Sequence, residues 1–168
     1  KEREKITNAH RKIGLGVMGF ADLLFQLKMP YDSKQALRLG ERLITFIAKE
    51  SQEKSVELGK QRGSFMNFEH SSWQKKYPAM RNATCITIAP TGTISIVAGC
   101  SSGIEPVFAL AFLRRVMEGK QLPEINETFK RELIRRGLYS DDLIRKISQT
   151  GNIQDIKLPA DLKKIFVT

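Results

Sequence analysis

The chain has 168 residues, 41% hydrophobic and 27% charged, which is a globular composition with room for one core. No apolar run approaches the ~20 residues of a membrane-spanning helix, and the opening KEREKITNAHRK has no apolar stretch of the kind a secretory signal carries. The net charge of +10 invites an anionic partner, but acids interleave with the cations in helical patterns such as KRELIRRG and DDLIRK. Solvated helix faces account for that charge, and nucleic acid is not the expected partner.

From Asn8 to Leu27 the apolar residues Ile13, Val17, Phe20, Ala21, Leu24 and Leu27 recur at helical spacing, which predicts a helix halted by Pro30. Inside it lies GLGVMG, whose Gly14, Gly16 and Gly19 match the G-x-G-x-x-G fingerprint of dinucleotide-binding folds. That fingerprint needs a hydrophobic strand running into its first glycine and an acid about 20 residues later at the end of a second strand. Here the approach is EKITNAHRKI, and the next acid after Pro30 is Asp32, in a loop before a long helix. The glycines are therefore read as packing positions within or beside a helix. A nicotinamide-dependent dehydrogenase is the alternative the string suggests.

Ser33 is placed to cap a helix running through Leu58, and Gly63 opens the loop RGSFMNFEHSSW. At Ala83 the composition changes: ATCITIA is short and rich in threonine and isoleucine, which predicts a buried strand. PTGT is a turn, ISIVAGC fits a strand or a short helix, and SSGIEP breaks the chain again. VFALAFLRRV (107–116) reads as a second buried strand. Helices are predicted from Pro123 to Gly137 and from Ser140 to Gly151, with another beginning in PADLKKIFVT. The organisation is one mainly helical α/β segment: 1–80 mostly helical, 83–117 strands with an intervening loop, and 123–168 helical.

Cys85 and Cys100 lack CxxC spacing, so neither a disulfide framework nor a zinc site is expected and a reducing cytoplasm is the expected compartment. His10 and His70 stand far apart without acidic companions, and no metal centre is expected. The chain lacks an initiator Met and stops on LKKIFVT, where an apolar pattern has just begun. It reads as a segment of a larger protein.

The stretch with chemistry in it is Asn82 to Pro106. A strand ending in Pro90-Thr91-Gly92-Thr93 and running into a helix near Thr93 would present backbone N–H groups and the hydroxyls of Thr91, Thr93 and Ser95 to one point. Gly92 removes the Cβ that would block a ligand. The loop has no P-loop lysine, and an ordinary strand–turn–helix connection fits the same spacing.

The segment APTGTISIVAGCSSGIEPVFALAF resembles the substrate-phosphate loop and the following Gly-Ile-Glu-Pro turn of the large, catalytic chain of ribonucleotide reductases, most closely the adenosylcobalamin-dependent class II branch. RKIGLGVMGFADLLFQLKMPYDS is similar to that family's helix upstream, and RGSFMNF, SSW and RNAT follow in the family's order. The resemblance spans nearly the whole chain. It implies a mainly helical fragment of a ten-stranded α/β barrel, from the C-terminal part of the barrel domain. Pro90, Thr91, Gly92, Thr93, Ile94 and Ser95 would then bind the substrate's phosphates, and Gly103 to Pro106 would shape the wall nearby. Glu105 is taken as an acid that fixes loop geometry rather than a general acid or base.

The implied reaction replaces the ribose 2′-hydroxyl by hydrogen through radical chemistry, with adenosylcobalamin as cofactor and a ribonucleoside di- or triphosphate as substrate. An external thioredoxin-like dithiol would be the reductant, and a homodimer is compatible with the family. No Asn-Pro-Cys-Gly-Glu type string, the family's thiyl-radical motif, occurs in these residues. Cys85 is expected to be a core residue, Cys100 receives no redox role, and the fragment is expected to be inactive alone. A class I large chain is the neighbouring reading, although such chains tend to carry a Ser-Glu pair after the proline. A basic nucleic-acid-binding domain is the alternative from another class.

Overall fold

The computed structural model describes residues 1–115 and 121–168. They form two compact units, one of Lys1–Val17 with Arg38–Ala89 and one of Met18–Leu37 with Pro90–Thr168.

In the first unit, helix α1 (Glu2–His10) ends where Arg11 turns left-handed at φ 47°. The chain then runs extended, so Ile13 and Val17 lie outside the helix that the apolar spacing predicted. Residues 13–15 pair in parallel with 84–87: the Ile13 N–H donates to Thr84 O at 3.1 Å and the Leu15 N–H to Cys85 O at 2.8 Å. The Thr87 N–H returns to Leu15 O at 3.0 Å. The strand expected in ATCITIA is reduced to this short pairing around Leu15 and Ile86. Gly14 and Gly16 are packing positions, but in extended backbone rather than a helix. A Cβ on Gly14 would fall 2.6 Å from Thr87 Cγ2, and one on Gly16 would fall 3.1 Å from Thr87 O.

Helix α3 (Lys34–Arg62) starts in the second unit, where Ser33 Oγ accepts the Ala36 N–H at 3.1 Å as the cap reading requires. Its last turns carry Ser55 and Gly59 toward residues 80–82 of the first unit. Phe65, Phe68, Met80 and Cys85 form the core there, with Trp73 and Tyr77 against it, and Trp73 Nε1–H donates to Ala83 O at 2.8 Å. Two short 3-10 turns, Phe68–His70 and Ser72–Lys75, shape the aromatic loop.

The second unit contains α2 (Phe20–Gln26), α4 (Gly92–Ala98), a hairpin of β1 (Ala111–Arg115) and β2 (Gln121–Ile125), and helices α5 (Glu127–Arg135), α6 (Asp141–Thr150) and α7 (Ala160–Ile165). ISIVAGC is thus helical. The expected strand over 107–116 shortens to β1, while Val116 and residue 117 lie outside the described residues. The helix expected from Pro123 begins four residues later. Asn126 caps it, its Oδ1 accepting the Thr128 and Phe129 N–H groups at 3.1 Å each, and Pro123 sits in β2 opposite Leu113. A two-stranded ribbon has only edge strands, so a residue without an N–H is tolerated there.

Ala111 pairs with Ile125 and Arg115 with Gln121 in antiparallel register. The core gathers Phe25, Leu110, Phe129, Leu133, Ile147, Leu162 and Phe166, the ring of Phe166 lying 4.7 Å from Phe25 and 5.0 Å from Phe129. Gly151 ends α6 at φ 77°, and its carbonyl accepts the Leu110 N–H at 2.8 Å, holding the start of β1.

Candidate functional site

The loop from Pro90 to Ser95 belongs to the second unit. Thr91 adopts a left-handed conformation at φ 54° and opens α4, which starts at Gly92 rather than Thr93. No side chain caps the helix, and the first amides of any α-helix lack intrahelical acceptors. Pro90, Gly92, Thr93 and Ile94 are exposed, and nothing lies within 4 Å of where a Gly92 Cβ would stand. The backbone at Gly92 is therefore open to approach.

The three hydroxyls do not converge. Thr91 Oγ1 accepts the Gly103 N–H at 2.7 Å. Ser95 is buried, donates to Gly92 O at 2.9 Å and shares a hydrogen bond with Ser102 Oγ at 2.9 Å. Thr93 alone of the three is exposed. The loop thus has an outer surface, Gly92 to Ile94, and two inner hydroxyls that fasten it to residues 102 and 103.

Residues 101–104 are themselves gripped by α2 and its flanks. The Gly19 N–H donates to Ser101 O at 2.8 Å, and Asp22 Oδ2 accepts the Ser101 N–H at 2.6 Å. Tyr31 Oη donates to Ile104 O at 2.6 Å. Gly19 is left-handed at φ 80°, a conformation that L side chains rarely adopt, while Cys100 Cβ lies at ordinary contact distance, 3.4 Å, from where a Cβ would stand. Glu105 is exposed, and its backbone N–H closes a turn on Ser102 O at 3.2 Å. Sequence reasoning passed over Asp22, Ser101 and Ser102. The available signal was a single carboxylate among the apolar residues of the helix FADLLFQ.

With this geometry in view, comparison with known proteins places the chain. It matches the family described as "Ribonucleotide reductase, barrel domain" over residues 1–80 and 76–168. The chain belongs to the ribonucleotide reductase family. It is 51% identical over 98% of its length to the vitamin B12-dependent ribonucleoside-diphosphate reductase of Thermoplasma acidophilum, covering 22% of that protein. It is 44% identical over 99% of its length to the enzyme of the same description from Mycobacterium tuberculosis strain CDC 1551, covering 24% of it. Among solved structures, the Actinobacillus ureae class Id ribonucleotide reductase alpha subunit superposes with a TM-score of 0.78 at 24% identity, over 98% of this chain and 29% of that one.

The segment is therefore a mainly helical piece of the reductase barrel, and it spans about a quarter of the length of the curated relatives it matches. Within the reductase barrel, Gly14 and Gly16 serve chain packing against Thr87. Cys85 is 5% exposed in the first unit's core, and burial pushes its thiol pKa up. Among the described residues no helix is long and apolar enough to cross a membrane.

Proposed function

We propose that this chain forms the substrate-phosphate side of an adenosylcobalamin-dependent ribonucleotide reductase, with Pro90, Thr91, Gly92, Thr93, Ile94 and Ser95 as the phosphate loop. The observation that carries the reading is the uncapped start of α4, where Gly92 leaves open space in front of the first amides and Thr93 stands exposed beside it. Oriented N–H groups and one hydroxyl suit the oxygens of a di- or triphosphate. Thr91 and Ser95 act from behind, since their hydroxyls hold the loop's shape. Anchoring the phosphates fixes the sugar against the reacting group, and in a radical reaction that placement governs the rate.

Two of the three relatives named above, those of Thermoplasma acidophilum and Mycobacterium tuberculosis, are described as vitamin B12-dependent, which supports the same cofactor for the whole enzyme. The cofactor supplies the radical when bound. His10 is engaged by Ile6 O and Asn67 and His70 is exposed on a short turn, so neither is assigned to hold it. No step of this chain is routed through it. A thioredoxin-like dithiol as reductant, a homodimeric assembly and a cytoplasmic location complete the proposal for the whole enzyme.

The test is Gly92→Val in the full-length reductase. A Cβ there meets nothing within 4 Å in this chain, so the loop is expected to keep its fold while a bound phosphate is obstructed. Affinity for the ribonucleotide is expected to fall about a hundredfold, as for loss of several charge-assisted hydrogen bonds. Unchanged affinity would refute the site. The 168-residue chain alone, given ribonucleotide, cofactor and dithiol, is expected to give no turnover.

A further inference from the structure

We infer that Asp22 is a positioning residue for the phosphate loop, acting through residues 101–103; the inference rests on the reading of that loop as the phosphate site. Asp22 is the one acid of α2, and both of its carboxylate oxygens are used. Oδ2 accepts the Ser101 N–H at 2.6 Å, Oδ1 accepts Asn126 Nδ2–H at 2.8 Å, and the Asp22 backbone N–H donates to Ser101 Oγ at 3.3 Å.

Asn126 has no freedom to reverse its amide. Its Oδ1 caps α5 by accepting the Thr128 and Phe129 N–H groups, so its NH₂ must face Asp22. Asp22 is thereby held from one side by a helix cap. On its other side it holds Ser101, and the next two residues hold the loop: Ser102 Oγ meets Ser95 Oγ at 2.9 Å, and the Gly103 N–H donates to Thr91 Oγ1 at 2.7 Å. Hydrogen bonds joined by the backbone of residues 101–103 run from the α5 cap through Asp22 and Ser101 to the base of the loop.

Asp22→Asn keeps the shape but turns one acceptor into a donor. Either the Ser101 N–H or the Asn126 NH₂ then faces another N–H, and that link opens. The sign of the effect separates positioning from simple charge. Removing a carboxylate from the neighbourhood of an anion site would by Coulomb's law tighten phosphate binding, whereas losing the loop's shape weakens it.

The experiment uses the full-length reductase and measures equilibrium affinity for a ribonucleoside diphosphate and for the matching nucleoside without phosphates. Asp22→Asn is expected to lower diphosphate affinity about tenfold and to leave nucleoside affinity unchanged, as for one lost hydrogen bond to a charged group. A general loss of structure would lower both. Ser102→Ala, which removes one gentle link of the same chain, is expected to lower diphosphate affinity severalfold. It carries the test if Asp22→Asn does not fold. Diphosphate affinity that holds or tightens in the folded Asp22→Asn enzyme, while Gly92→Val weakens it, overturns the inference and leaves the phosphate site standing. Gly92→Val without effect removes both. Unaltered diphosphate binding by Ser102→Ala overturns the relay on its own.

Discussion

The Ser55 hydroxyl and Asn82 bond each other twice: Ser55 Oγ donates to Asn82 Oδ1 at 3.0 Å and accepts the Asn82 backbone N–H at 3.0 Å. Both residues are buried, and the Asn82 side-chain amide passes the link on to Arg11 O at 2.8 Å. Ser55→Ala leaves a buried N–H and a buried carbonyl without partners. A loss of about 1–3 kcal/mol is expected in urea unfolding of the chain. An unaltered midpoint would mean that water replaces the hydroxyl.

Gly59 and Gly92 are both helical glycines, and alanine should affect them oppositely. At Gly59 a Cβ would stand 2.7 Å from the Met80 backbone N and 2.9 Å from its C and Cα atoms, where backbone must move to admit it. Gly59→Ala is expected to destabilise by about 1–3 kcal/mol, the usual cost of overpacking. Gly92→Ala meets open space and reduces the freedom of the unfolded chain, so it is expected to stabilise by about 0.4–1 kcal/mol. Thermal unfolding of the two variants side by side checks the contrast.

Glu132 lies between two guanidinium groups, 2.6 Å from Arg135 Nη2 and 2.7 Å from Arg136 Nε. The hydrogen bond from Arg135 is the largest cause of a pKa lowered from the ordinary 4.5 to about 2, with Arg136 adding to it against the cost of desolvation. The folded form binds its proton less readily than the unfolded one, so the group's contribution is full above about pH 4.5 and disappears as pH falls toward 2. Glu132→Gln should be less stable than the parent at pH 7, and the gap should close across that acid window. A gap independent of pH would assign the effect to packing.

The two cysteines should differ in reactivity. Cys85 is 5% exposed with its thiol pKa raised by burial, whereas Cys100 is half-buried beside Gly19. With iodoacetamide under native conditions, Cys85 is expected to react at least about tenfold more slowly than Cys100, since only the exposed thiolate attacks. Peptide mapping of the modified sites reads the result, and equal rates would place Cys85 outside the core.

Helix ends were the most legible part of the fold because their chemistry is local. Ser33 caps the helix it was expected to cap, Ser140 caps α6 where that helix was expected to begin, and Gly137 and Gly151 follow α5 and α6 with positive φ. The stretch from Ile13 to Gly19 was misread for the opposite reason. Its apolar spacing fits a helix, but the decisive partner is Thr87 and its neighbours, some seventy residues away, which draw this stretch into extended pairing. The hairpin was half seen: β1 was expected, while the strand status of Pro123 to Ile125 depended on the facing residues Ala111 to Leu113.

By itself the sequence determined the family, through long motifs in the right order, and it singled out the loop from Pro90 to Ser95 while leaving ISIVAGC open between strand and short helix. Those features reside in contiguous residues. Only the tertiary structure decided which of that loop's groups face outward. It turned the Thr91 and Ser95 hydroxyls toward Gly103 and Ser102, left Gly92 and Thr93 in the open, and brought Asp22 onto Ser101 and Asn126, 79 and 104 positions along the chain. A hydroxyl or carboxylate bonds to whatever folding brings within 3 Å, and residue spacing does not record that neighbour.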